Sequence, residues 1–131
     1  MRILVLALLL TACSQQEPQK PAAQVTYAGQ GRDRLCIKGD RAGLITYGKG
    51  DGNCSVQGRV ERSGEHLLTL APIGDQDCRI GIEQQGGTLR LGKADAACSY
   101  YCGPDASFAG KSFTRNDTAS PALDFAGDPL C

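Results

Sequence analysis

The chain has 131 residues, 14 basic and 14 acidic side chains, seven cysteines and no tryptophan. That length holds one folded domain. A formal charge of zero argues against nucleic-acid binding, which needs a concentrated basic footprint.

The chain begins with a single basic residue, Arg2, followed by the apolar run Ile3 to Leu10 and then Thr11-Ala12-Cys13. A charged start, a short apolar stretch and small residues at its end form a secretory signal. The stretch is well short of the ~20 residues that span a bilayer. With cysteine at the cleavage point, Leu10-Thr11-Ala12-Cys13 resembles the lipobox of a bacterial lipoprotein. The resemblance implies removal of residues 1–12 and acylation of Cys13. Ser14 in the next position, rather than aspartate, implies the outer membrane of a Gram-negative cell, facing the periplasm. Several acyl chains hold a protein at a membrane stably where one does not.

Residues 13–24 carry the lipid site and then a polar stretch with Pro18 and Pro21. This segment has no apolar periodicity and reads as a disordered tether. The folded domain is expected over residues 25–131.

Six cysteines remain for that domain: Cys36, Cys54, Cys78, Cys98, Cys102 and Cys131. An even number in an exported chain reads as three disulfides. Pairing of chain neighbours is the expected arrangement, Cys36 with Cys54, Cys78 with Cys98 and Cys102 with Cys131. The last bridge would pin the C-terminal tail. There is no Cys-x-x-Cys pair, and His66 is the only histidine. Tetrahedral metal sites use close ligand pairs, so neither a metal nor another cofactor is expected.

Period-two alternation marks the strands. Val25 to Ala28, Arg34 to Lys38 and Leu44 to Tyr47 come first. Cys54, Val56, Gly58 and Val60 then share one face of a longer strand. Ser63-Gly64-Glu65 turns, and His66 to Leu70 returns until Pro72. Gly74 to Asp77 turns again. Cys78, Ile80 and Ile82 alternate with polar residues, and Gln85-Gly86-Gly87 leads to Thr88–Leu91. Lys93 to Ala97 fits one helical turn. The pattern predicts a small all-β domain, either an antiparallel barrel or a two-layer sandwich, built from a meander of hairpins and stapled by disulfides.

Catalytic signals are weak. His66 beside a turn reads as a solvated strand residue rather than a general base. Asp40, Asp51, Asp75 and Asp77 sit in glycine-rich turns, where aspartate caps local amides. No Gly-x-Ser-x-Gly nucleophile elbow occurs, and the chain is not expected to be an enzyme. The stretch Cys98 to Phe113 differs in character, because it gathers Tyr100, Tyr101, Phe108 and Phe113 around Gly103-Pro104. Aromatics on a stapled loop make a recognition surface or close the core.

The lipobox, the compact antiparallel β domain and the disulfide frame reaching Cys131 together resemble the membrane-bound periplasmic inhibitors of c-type lysozyme. That resemblance implies occlusion of an enzyme cleft by a loop that offers hydroxyl and lysine donors to catalytic carboxylates. Its local counterpart here is Gly110-Lys111-Ser112, with Ser107 upstream. The binding residues expected on these grounds are Tyr100, Tyr101, Ser107, Phe108, Lys111 and Ser112. The partners are then a membrane, through the lipid, and a protein. The competing expectation is a structural or assembly lipoprotein of the envelope that binds an outer-membrane protein or peptidoglycan.

Overall fold

The computed structural model describes residues 17–131; the expected signal segment and the lipidation site Cys13 lie outside the described residues. Eight antiparallel strands close into a barrel in simple sequence order, with β8 paired to β1. The strands are β1 (Gln24–Ala28), β2 (Arg34–Lys38), β3 (Arg41–Tyr47), β4 (Asn53–Gly64), β5 (Leu67–Pro72), β6 (Ile80–Gln85), β7 (Thr88–Ala94) and β8 (Ser112–Arg115). Of the two expected architectures, the barrel is the one formed. A 3-10 helix, Ala96–Tyr101, lies between β7 and β8.

The interior follows from the alternation. Leu35, Leu44, Val56, Leu70, Ile80, Ile82, Leu89, Leu91 and Phe113 are buried in one cluster. An eight-stranded barrel is narrow enough for side chains to fill, and aliphatic residues from β2 to β7, with Tyr27 from β1 and Phe113 from β8, do so here. Closure requires β8. Phe113 supplies its one buried side chain, while Ser112, Thr114 and Arg115 are exposed. The strand pairs on both sides, Leu89↔Phe113 toward β7 and Ala28↔Thr114 toward β1.

A second, smaller cluster lies on the outside of the barrel. Cys36 and Ile45 point away from the interior and are covered by Ala122 and Leu130 of the C-terminal tail. The tail folds into a small hairpin. Leu123 bridges Pro129, Leu130 N–H donates to the Ala122 carbonyl at 3.0 Å, and Asp124 N–H donates to the Asp128 carbonyl at 2.9 Å. Gly43 lets the tail lie close, because a β-carbon there would collide with the Leu130 backbone and side chain.

The disulfides correct two of the three expected pairings. Cys78–Cys98 forms as expected, but Cys36 joins Cys131 and Cys54 joins Cys102. The physical reason is facing. Cys36 projects outward between the inward Leu35 and Ile37, whereas Cys54 belongs to the interior cluster with Val56. A bond between them would have to pass through the sheet. The connection after the 3-10 helix folds back onto β4 instead. Cys102 bridges Cys54, and Gly103 N–H donates to the Asn53 carbonyl at 2.8 Å. The tail is pinned, as anticipated, but to β2.

Candidate binding surface

The long connections β1–β2, β3–β4, β5–β6 and β7–β8 gather at one end of the barrel, as the up-and-down order requires. The bridge Cys78–Cys98 ties the β5–β6 connection to the 3-10 helix, and Cys54–Cys102 ties the helix exit to β4. Tyr101 adds a third tie. Its hydroxyl donates to Asp75 Oδ2 at 2.7 Å, while Asp75 Oδ1 accepts the Asp77 and Cys78 amides at 2.8 and 3.1 Å. Asp75 therefore caps its turn, as the sequence suggested.

This arrangement moves both titrations. The Tyr101 hydrogen bond, followed by the local amides, holds the Asp75 carboxyl below its usual value. Burial, together with the hydrogen bond to Asp75, pushes the Tyr101 phenol up to about 12.

The residues expected to bind separate into two groups. Tyr100 projects from the stapled helix with 85% of its surface exposed. Its ring meets Tyr101 edge-on at a centroid separation of 5.3 Å. Ser107 and Ser112 are also exposed, and the Ser107 hydroxyl accepts the Ala109 amide at 3.1 Å. Phe108 is buried in the core and closes the barrel end. Lys111 does not point freely outward. Its ammonium lies 3.1 Å from the buried Asp33 carboxylate and 2.9 Å from the Tyr47 carbonyl. The structure thus spends Lys111 on a structural ion pair.

Among the described residues, no three or more histidine, cysteine, aspartate or glutamate side chains converge as a metal site would require. His66 occupies the β4–β5 turn, exposed, 3.7 Å from Glu65. Asp40 makes an exposed pair with Arg59 at 2.9 Å.

Two exposed apolar residues escaped the sequence reading. Ile73, just after β5, is 58% exposed, and Phe125, at the tip of the tail hairpin, is 68% exposed. They border two adjacent grooves. One, of about 370 Å³, is lined by Ile73, Tyr101, Gln57 and Asp124. The other, of about 350 Å³, is lined by Asp124, Phe125, Ile45, Tyr47, Arg32 and Arg34. Asp124 lines both, so the grooves form one continuous surface from Ile73 to Arg32. Exposed apolar side chains rimmed by polar groups are typical of interaction sites. The available signal for Phe125 was its isolation, an aromatic between Asp124 and Ala126-Gly127-Asp128 with no strand pattern to bury it.

The Phe125 end of this surface is held firmly. Asp128 N–H donates to Asp124 Oδ1 at 2.8 Å, Gly127 takes a positive φ of 92°, and Cys131 anchors the hairpin to Cys36. Chemically, the surface offers apolar anchors, hydroxyls and guanidinium groups, an inventory suited to holding a partner. Comparison with protein families, with curated proteins and with solved structures found no match.

Proposed function

We propose that the protein is a lipid-anchored binding protein of the periplasmic face of the outer membrane. It occludes the cleft of a partner enzyme, as the lysozyme inhibitors it resembles do, and catalyses nothing itself. The supporting observation is the surface that runs from Ile73 past Asp124 to Phe125, with Tyr100 projecting from the adjoining 3-10 helix. Rigid, exposed anchors bind with little loss of conformational freedom. The disulfides hold the parts that carry Tyr100 and Phe125 before any partner arrives.

The contact residues in this reading are Tyr100, Ile73 and Phe125. Lys111 positions the barrel end from within. The test is lysis of a peptidoglycan suspension by c-type lysozyme, with and without the oxidised chain carrying Cys13→Ser. Stoichiometric inhibition that disappears on reduction, and weakens at least tenfold in Tyr100→Ala or Phe125→Ala, is the expected result. No inhibition at micromolar excess would overturn the inhibitor reading in favour of an envelope-assembly role.

A further inference from the structure

The groove beneath Phe125 carries more positive charge than its surroundings neutralise. Arg32 stacks on the Tyr47 ring with its guanidinium carbon 4.0 Å from the centroid. It has no carboxylate within ion-pair distance among the described residues. The adjacent acid, Asp33, is already committed to Lys111 and to the Tyr47 amide, the latter at 2.7 Å. Among the described residues, Arg34 donates only to uncharged oxygens, the Ser120 hydroxyl and the Ser120, Gly31 and Asp33 carbonyls. Across the groove stands one carboxylate, Asp124, with an oxygen engaged by the Asp128 amide. Two guanidinium groups thus face one acid, over a floor of Ile45 and Tyr47 and beside the exposed Phe125.

We propose that this groove receives a loop of a folded protein partner in which an aspartate or glutamate adjoins an apolar side chain. The carboxylate pairs with Arg32, whose planar fork donates to both oxygens, and the apolar side chain packs on Phe125. The inference deepens the binding reading above by naming the chemistry of the segment bound. Two features favour a protein over other occupants. Asp124 and Asp128 flank Phe125 on the hairpin tip, so insertion of Phe125 into an anionic membrane would press two carboxylates against lipid phosphates. The same acids oppose a nucleic-acid backbone.

The probe is a blocked peptide with one aspartate flanked by leucines, titrated into the oxidised full chain carrying Cys13→Ser and followed by amide NMR shifts. Its asparagine counterpart serves as the reference. The expected result is saturable shifts centred on Arg32, Tyr47 and Gly127. The asparagine peptide should bind about tenfold more weakly, as loss of one charge-assisted hydrogen-bond pair implies. Arg32→Ala should weaken the aspartate peptide by a similar factor, and Arg32→Lys by less. Arg32 is exposed, so both variants should retain the barrel's amide spectrum. Equal affinity for the two peptides, or shifts remote from this groove, would overturn the proposal. So would preferential binding to phosphatidylglycerol vesicles or to soluble glycan chains. Because the peptide is independent of lysozyme, failure here leaves the inhibition assay standing, and failure of that assay leaves this groove testable.

Discussion

Lys111 and Asp33 lie 78 positions apart in the chain and meet at 3.1 Å at the end of the barrel. Asp33 leads into β2, Lys111 leads into β8, and both bond the backbone of Tyr47 at the end of β3. Three strand ends are therefore joined through one ion pair, 3% exposed on the acid side and 26% on the lysine side. Removing one member of such a pair leaves a charge without compensation. Lys111→Ala should destabilise the protein by about 3 kcal/mol. Asp33→Asn combined with Lys111→Met should recover part of that loss, because no lone charge remains. Urea unfolding followed by circular dichroism checks both; equal stability of Lys111→Ala and the native chain would remove this role.

The Tyr101–Asp75 hydrogen bond gives stability a pH dependence at both extremes. Tyr101 holds its proton more tightly when folded, up to about 12 against an ordinary 10.0. Its contribution is complete below pH 10, fades as the pH rises from 10 to 12 and is absent above. Asp75 is shifted the other way, so its contribution is present above 3.8 and is lost as the pH falls through the lower folded value. Tyr101→Phe should remove the alkaline part and return the Asp75 carboxyl toward 3.8. Phenolate absorbance and carboxyl NMR titration read the two effects separately.

Removal of the tail bridge should cost more than removal of the helix bridge. Cys36–Cys131 has a sequence separation of 95 and Cys78–Cys98 one of 20. On the chain-entropy view, these correspond to up to about 4.5 and about 3 kcal/mol. The double serine replacement at Cys36 and Cys131 should also free the hairpin, and limited proteolysis should then cut after residue 115. An uncut tail would show that Leu130 and Ala122 hold it without the bond.

Gly43→Ala tests the seating of that hairpin from the barrel side. The added methyl group would overlap Leu130, so the tail must lift. The interior is untouched, since Gly43 faces outward with Cys36. Faster amide exchange is expected at Leu130 and Asp124, with native exchange rates at Leu44 and Leu89. Unchanged exchange at Leu130 would contradict the packing described here.

Much of the barrel could be read from alternation, because strands β1 to β7 each carry inward apolar residues at period two. The facing of the cysteines was equally readable. Leu35 and Ile37 assign Cys36 to the opposite side from the core, which already disfavours a bond to Cys54. What alternation could not reveal is the closing strand. Ser112 to Arg115 holds one buried residue, Phe113, and becomes a strand only because β1 and β7 need a partner between them. The same is true of the binding surface. Phe125, Ile73 and Arg32 are far apart in sequence and share no motif. Only the folding of the tail against β2 and β3 brings Phe125 to Arg32. Lys111 read as a free donor because its partner, Asp33, lies at the other end of the chain.

The bond from Cys131 to Cys36 also determines how the molecule would carry mechanical load. Force entering at Gln24 passes along β1, and Thr26 stands directly opposite Cys36 in the register of β1 and β2. From there the disulfide hands the load straight to the tail hairpin and Phe125. A pull between the amino-terminal end and a partner held at the tail is therefore carried by the pairing of β1 with β2, from Gln24↔Lys38 to Ala28↔Arg34, and, through the chain that joins the tail to β8, by the shorter pairing of β1 with β8. The remaining strands, β3 to β7, lie off that route and would stay slack.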